Sequence, residues 1–324
     1  MSSFLENKAI AFLKLVRVEN LLMIALTQVF IRSFIMEKSF ALHHVPHGMN
    51  DGVFYLLVLS TVLIAAGGYI INDYFDVKTD LINHPDTVVV DRVIKRRWAI
   101  ILHITFTLTG IFLGMFAAFK TGYLRLAIFH FGAAILLWFY STDFKKMLLV
   151  GNFTVSVLTA AVPFMPFVYE MGLMQNAHPG FIFSYRYAVL ASFKVVGIYS
   201  LFAFITSLAR EIIKDMEDYR GDKATGGRTM PVVWGIRSSQ IAAFFLLVIT
   251  SLLLLFVVYN SVRLTHRIFS VDNFYVLLGL VTPLTVLAFY VLSARNSMQF
   301  KNASLFLKFI MLVGLGFSMI YYYN

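Results

Sequence analysis

Nine stretches of mostly apolar residues recur along the chain. Each is roughly 20 residues long, about what an α-helix needs to cross the ~30 Å hydrocarbon layer at ~1.5 Å per residue. They lie near residues 19 to 36, 53 to 72, 98 to 119, 123 to 142, 147 to 169, 187 to 210, 239 to 260, 274 to 293 and 303 to 323. With 59% of 324 residues hydrophobic, 14% charged and a mean hydropathy of +0.78, the chain holds more apolar surface than a soluble domain can bury. It therefore reads as an all-α, polytopic bundle of nine transmembrane helices.

The 33 Phe, 16 Tyr and 14 Met suit lipid-facing surfaces, interfacial belts and apolar cavities alike, so aromatic content indicates no chemistry. Met1 to Lys14 carries Glu6 and Lys8 and lacks a small-residue cleavage site after an apolar run, so the first hydrophobic segment is expected to stay in the protein. The absence of cysteine excludes disulfides, thiolate metal sites and thiol nucleophiles.

Basic residues collect on one side of the bundle: Lys8, Lys14, Arg17, Lys78, Arg92 to Arg97, Lys145, Lys146, Arg210 to Arg237, Arg295 and Lys301. The other side has Lys38, Lys120, Arg125, Arg186, Arg263 and Arg267. The bias puts the N-terminus and the richer loops in the cytoplasm and the C-terminus outside, in the cell membrane. The net charge of +10 then reflects topology and anionic lipid, and nothing supports nucleic acid as a partner. Arg32, Lys194 and Lys308 fall inside hydrophobic runs; Arg32 and Lys308 are near enough to helix ends to snorkel, and Lys194 is ambiguous.

Carboxylates concentrate in two stretches on the cytoplasmic side. NDYFDVKTD follows the second apolar run and holds Asn72, Asp73, Asp76 and Asp80; REIIKDMEDYRGD follows the sixth and holds Glu211, Asp215, Asp218 and Asp222. At 100° per residue the first four fall within about 100° of arc, and the second four within about 60° if one helix continues past Gly221. Asp-x-x-Asp-x-x-x-Asp occurs in both stretches, which suggests two facing half-sites. Two carboxylates about 4 Å apart repel by roughly 4 kcal/mol at an effective dielectric near 20, and a divalent cation removes that cost. An all-oxygen donor set suits Mg²⁺ better than Zn²⁺. A single acidic run is usually a solvated loop; two helically phased copies on one side are not readily explained that way.

At these residues the sequence resembles the UbiA superfamily of intramembrane prenyltransferases. NDYFDVKTD matches the family's Asn-Asp-x-x-Asp-x-x-x-Asp signature, and Asp218 and Asp222 in DYRGD match its second aspartate motif, with Glu211 where relatives often carry another acid. RVENLL near the start and FYSTDFKKMLLVGN after the fourth run extend the likeness. REIIKDMEDYRGDKATGGRTMPVVWG looks like the branch that makes digeranylgeranylglyceryl phosphate, an ether-lipid precursor. One departure stands out. Where relatives continue with Asn-x-Pro-x-Arg-Pro this chain has NHPDTVVVDR, so Asn83 and Pro85 are retained and the Arg-Pro pair is missing; Arg92, Lys95, Arg96 or Arg97 would have to replace that arginine.

The resemblance implies one transmembrane domain over residues 1–324, built of two similar halves at about 1–145 and 146–324, around a central cavity open to the cytoplasmic side. It also implies Mg²⁺ ligation by Asp73, Asp76 and Asp80 and by Asp215, Asp218 and Asp222, with Glu211 alongside and the choice between Asp215 and Glu211 open. The donor is an isoprenyl diphosphate and the acceptor is lipid-like. Asp73, Asp76, Asp80, Asp218, Asp222 and Lys145 would carry catalysis, and Lys145, Lys146 and Arg210 would stabilise the departing pyrophosphate. Asn20, Asn72, Tyr140 and Asn152 would line the substrate site, and Arg92, Lys95 to Arg97 and Arg228 would meet an acceptor phosphate. Asn20 equally fits a cap on the first helix, and Lys145 and Lys146 equally fit topology-setting charge. His103 and His130 read as satisfied bundle polar groups, since no second ligand sits at metal-binding spacing. Three activities fit: geranylgeranyl transfer to geranylgeranylglyceryl phosphate, prenylation of an aromatic acceptor in a quinone or haem pathway, and divalent-cation transport. Transport would call for carboxylates nearer the bilayer midplane.

Overall fold

The computed structural model describes residues 8–45 and 48–324. The reading of the first few residues as free of a cleavable leader falls partly on residues 1–7, outside the described residues; Lys8–Leu15 is helical. Among the described residues nine helices are long and apolar enough to span a membrane. They are α1 (Val18–Leu42), α2 (Asp51–Asn83), α3 (Arg96–Lys120), α4 (Leu124–Thr142), α5 (Val150–Ala177), α6 (Arg186–Glu217), α7 (Ile236–Thr265), α8 (Val271–Ser293) and α9 (Ser297–Tyr323). No strand occurs among them, only an isolated bridge between Val90 and Ile94.

The elements start where local chemistry starts them. The side-chain oxygens of Asn50, Ser270 and Asn296 accept the backbone N–H of Val53, Asn273 and Gln299 at 2.9, 3.2 and 2.9 Å, so α2, α8 and α9 open on true N-caps. Helix α2 runs for 33 residues and α6 for 32. At ~1.5 Å per residue each is about 50 Å long, well beyond the hydrocarbon thickness. Their polar last turns therefore project past the apolar layer as continuations of the membrane helices.

The expected carboxylate ridge on the sixth helix is broken. Helix α6 ends at Glu217, Asp218 has left the helical region at φ −90° and ψ 5°, and a second short helix, Tyr219–Ala224, carries Asp222. Gly221, inside that second helix, lies against Asn83, which a β-carbon there would meet at 2.4 Å. The chain bends to dock on the end of α2 instead of extending into solvent.

Four apolar clusters surround the centre of the bundle in place of one core. Ala209, Leu247, Leu284 and Leu307 join α6 to α9; Ile31, Phe167 and Val196 join α1, α5 and α6; Leu57, Ala117 and Tyr169 join α2, α3 and α5; Leu15, Ile70 and Ala99 fix the N-terminal helix to α2 and α3. Helices α2 and α3 pack closely. A β-carbon on Gly110 would stand 3.0 Å from the Ser60 carbonyl oxygen, so glycine there permits the approach. The outward faces remain apolar: Leu22, Phe112, Phe245, Phe256 and Phe309 are all more than half exposed. With nine such helices the chain is an integral membrane protein.

Candidate active site

One cavity of about 720 Å³ lies between α1, α2, α4, α5 and α6. Its upper wall is made by the last turns of α2 (Asn72, Asp76, Thr79, Asp80, Asn83) and by the end of α6 with the segment after it (Arg210, Glu211, Lys214, Asp215, Asp218, Asp222). The two acidic stretches, 130 or more residues apart in sequence, face one space at one end of the bundle. Below them the wall turns apolar, with Ile64, Leu136, Leu137, Val155 and Leu158.

Direct bonds hold the halves in register. Asn83 donates through Nδ2 to the Asp218 carbonyl at 3.0 Å and accepts the Gly221 N–H at 2.8 Å. Thr79 meets Thr225 at 3.2 Å, and His84 Nε2 meets Asp218 Oδ1 at 2.8 Å. The second ridge is thus positioned by the residues that end the first. His84, Glu217 and Asp218 bring one ligand atom each within 4.8 Å of one another, and the His84–Asp218 ion pair accounts for that grouping without a metal.

Carboxylates this close need partners, and several have them. Lys145 pairs with Asp76, Arg17 with Asp73 at 2.8 Å, Arg210 with Glu211 at 3.1 Å, and Asn152 donates to Asp215 at 2.7 Å. Lys145 reaches the site from the turn between α4 and α5, which rests on Gly151; a β-carbon there would stand 2.7 Å from the Lys145 Cα. Asp80 has no cationic side-chain partner among the described residues, and Asp222 has only the Thr229 hydroxyl at 3.1 Å. Two buried polar atoms at the cavity, Asn72 Oδ1 and Arg210 Nε, are unpaired. An acceptor oxygen, two underpaired carboxylates and a spare guanidinium N–H together make an incomplete polar shell, suited to a cation and an anion arriving together.

Outside the spans the electrostatics are uneven. Burial, with Asp218 close by, pushes the Asp222 carboxyl up to about 6. Burial acts to raise Asp218 as well, but the His84 hydrogen bond and the nearby Lys214 outweigh it and hold that carboxyl below its ordinary value. His84 is raised in turn by its bond to Asp218.

The expected residues divide by position. Asn20, Asn72, Asp76, Asp80, Tyr140, Lys145, Lys146, Asn152, Arg210, Glu211, Asp215, Asp218 and Asp222 all line the cavity. Asp73 does not; it stands behind the wall and holds Arg17, which does. Arg92 and Arg228 are exposed and away from the cavity: Arg92 donates to the Pro85 carbonyl at 2.5 Å, and only the Arg228 backbone, bonded to the Lys146 carbonyl at 2.8 Å, touches the site's frame. Lys95, Arg96 and Arg97 also lie off the cavity, with Arg96 over the Tyr74 ring at 4.7 Å, so none of the four basic residues near the missing Arg-Pro pair reaches the carboxylates. Cations come instead from Arg17, Lys145, Lys146, Arg210, Lys214 and Lys308. Lys308 bonds Glu19 at 3.0 Å. Arg32 bonds Asp51 and the Met49 carbonyl, each within 2.8 Å.

His130 is satisfied by Ser60 and Tyr169, each at 2.8 Å, and His103 by the Gly67 carbonyl at 2.9 Å, as read from the sequence. Arg17, Tyr69, Asn83, His84 and Lys214 were not singled out as site residues. For Tyr69 and Asn83 a signal existed: extending the same helical phase places both within the ~100° arc of the first ridge, with Thr79 about 20° outside it.

The sequence profile of the UbiA prenyltransferase family matches residues 39–314. A digeranylgeranylglyceryl phosphate synthase of Thermococcus sibiricus is 31% identical over 206 residues, 64% of this chain and 64% of that protein. The match thus spans less than two thirds of that relative's length. A solved structure from work on digeranylgeranylglyceryl phosphate synthase in membranes superposes with a TM-score of 0.63 at 23% identity, covering 97% of this chain and 98% of that one. A UbiA homolog from Archaeoglobus fulgidus bound to DMAPP and Mg²⁺ superposes with a TM-score of 0.52 at 15% identity, covering 95% and 99%. Both share the fold. With the profile covering most of the chain and two acidic segments meeting at one cavity, the protein belongs to the UbiA prenyltransferase family.

Proposed function

We propose that the protein is a Mg²⁺-dependent prenyltransferase that moves a geranylgeranyl group from its diphosphate to the hydroxyl of geranylgeranylglyceryl phosphate. One observation carries the reading: both carboxylate ridges stand at the same end of a cavity whose remaining length is apolar. That form fits an amphiphile with a polyanionic head and a long hydrocarbon tail, and it argues against a cation pathway, whose ligands would be spread across the bilayer. The relatives named above support the choice of product.

The donor set fits Mg²⁺, being entirely oxygen and including the unpaired Asn72 Oδ1. Asp76 and Asp80 on α2 and Asp215, Asp218 and Asp222 across the cavity, with Glu211 beside them, would hold it, while Asp73, off the cavity and paired with Arg17, would position that guanidinium. Bound there, Mg²⁺ supplies charge neutralisation that makes diphosphate a leaving group. Lys145, released from Asp76, and Lys146 and Arg210 take the diphosphate oxygens as the allylic C–O bond breaks. The apolar walls below keep water from the allylic cation until the acceptor hydroxyl attacks it, forming the C–O bond and passing its proton to the released diphosphate. Lys214 and Lys308 remain at the cavity for the acceptor's own phosphate. The two halves act as one domain, with the carboxylate end facing the cytoplasm, where the charge bias places it.

The test is to incubate membranes with radiolabelled geranylgeranyl diphosphate, Mg²⁺ and either geranylgeranylglyceryl phosphate or an aromatic acceptor. The expected result is label in the glyceryl lipid, lost on chelation of the metal. Label only in the aromatic product would replace the acceptor assignment, and no transfer to either would end the reading.

A further inference from the structure

We infer that the end of the bundle opposite the carboxylates holds the phosphate headgroup of one anionic membrane lipid, gripped by Arg125, Arg186 and Lys194. An open groove of about 670 Å³ lies there between the start of α4, the end of α5 and the start of α6. Arg125 and Arg186 both line it, and no acidic residue does. Arg125 lies over the Tyr123 ring at 4.8 Å and Arg186 over the Tyr187 ring at 4.9 Å, and neither forms an ion pair among the described residues. Acids are scarce in this part of the chain. Between Asp91 and Glu211 the sequence has only Asp143, just past the other end of α4, and Glu170, which is fully buried and accepts the Gly48 and Met49 N–H groups. Gln175 adds a neutral donor to the groove: its Oε1 accepts the Ile182 N–H at 3.2 Å, which leaves its NH₂ without a protein acceptor among the described residues. Two guanidiniums and an amide with no carboxylate between them are a donor set for phosphate.

The surroundings select a lipid over a soluble anion. Ile182, Phe183 and Leu190, all in the groove, are 46%, 79% and 50% exposed, surface that an aqueous anion would leave uncovered. From Arg186, helical phase carries Leu190, Phe193, Gly197 and Leu201 down one face of α6, within about 80° of arc. Leu190, Phe193 and Leu201 are each about half exposed, and a β-carbon on Gly197 would meet no atom within 4 Å. An apolar strip with a gap in it therefore leads from the guanidinium into the bilayer, as an acyl chain leads from its phosphate. Lys194 stands beside that strip, exposed and in no ion pair among the described residues. It follows Arg186 by eight residues, so it lies about 12 Å deeper along α6, where a lipid-facing ammonium is costly. Helical side chains slant toward the N-terminus, so its stem carries the charge back toward the groove, where a lipid phosphate offsets it.

The experiment places full-length protein in phosphatidylcholine nanodiscs with a trace of either phosphatidylglycerol or phosphatidylcholine carrying a photoreactive acyl chain, and maps the label by mass spectrometry. In wild type, label between Arg186 and Leu201 is expected to be about tenfold or more higher from phosphatidylglycerol, since each basic group at a headgroup contributes about fivefold. Arg125→Gln combined with Arg186→Gln should bring the two lipids within about twofold, and Lys194→Met should lower the preference by about threefold or more. Label on the lipid face of α7 should stay the same throughout; a change there marks a misfolded variant, and the wild-type comparison then decides alone. Equal labelling by the two lipids in wild type, or a preference that either folded variant leaves unchanged, would overturn the proposal. So would displacement of the label by millimolar inorganic phosphate, which would make the groove a site for a soluble anion.

Discussion

Replacing Asp76 or Asp218 by Asn removes a charge from a cavity-lining carboxylate with almost no change of shape. If each helps hold Mg²⁺, either substitution lowers kcat/KM by about a hundredfold or more, as loss of one well-placed electrostatic group does elsewhere. Arg92→Ala and Arg228→Ala serve as contrasts. Both side chains are exposed and off the cavity, so their rates stay within about twofold of wild type, the scale of change at solvent-exposed sites. Acidity adds a further test. Asp222 carries a carboxyl raised to about 6, and protonation competes with metal. The Mg²⁺ concentration giving half-maximal activity should accordingly rise as pH falls through 6; a flat requirement from pH 7 to 5 would remove Asp222 from the ligand set. At this scale much of the cavity lining was legible: helical phase puts Asp76 and Asp80 on one face of α2 and Glu211 and Asp215 on one face of α6, though the same phase includes Asp73, which lies off the cavity. Arg17, Lys214 and His84 were not, since only the folded chain shows which of many basic residues meets an acid. Arg92 and its neighbours were expected near the diphosphate for want of another arginine, yet the segment after Asn83 buries Val88, Val89 and Val90 and leaves Arg92 and Lys95 to Arg97 exposed, and the cations arrive from other helices.

The helices themselves were readable to within a few residues wherever an apolar run meets a polar boundary. Helices α2 and α6 run past the expected ends near residues 72 and 210, to Asn83 and Glu217, because the acidic turns continue the helix beyond the apolar run. The break at Asp218 was not readable: a 60° ridge on one straight helix is sterically sound in isolation, and only docking of Gly221 on Asn83 shows why the chain bends. Close helix contact gives the element-scale prediction. Gly110→Leu would force α2 and α3 apart at Ser60 and Ile64, where a β-carbon already meets backbone at 3.0 and 3.1 Å. Overpacking of this kind costs about 1–3 kcal/mol, so the variant should unfold at lower temperature in detergent than wild type. An unchanged midpoint would contradict that close apposition.

Taken whole, the molecule places its candidate site at one end and hydrocarbon over the rest, and its proposed orientation rests on charge bias alone. The absence of native cysteine permits a clean assay. Arg220→Cys, at the carboxylate end, should react with a membrane-impermeant maleimide only after cells are opened, and Arg267→Cys, at the far end, should react in intact cells; the reverse pattern would invert the topology. The central cavity was expected from family likeness, since periodicity identifies helices and not the space between them. Four separate clusters, with no single core, are the packing counterpart of that cavity. If carboxylates from both halves grip one metal-diphosphate unit, binding of geranylgeranyl diphosphate to purified protein with and without Mg²⁺ reveals it most directly. Wild type should bind only with Mg²⁺, and Asp76→Asn, Asp218→Asn and the double variant should all lose that dependence to the same extent, because the groups act as a unit. Full Mg²⁺-dependent binding in either single variant, or losses that simply add, would contradict a shared site.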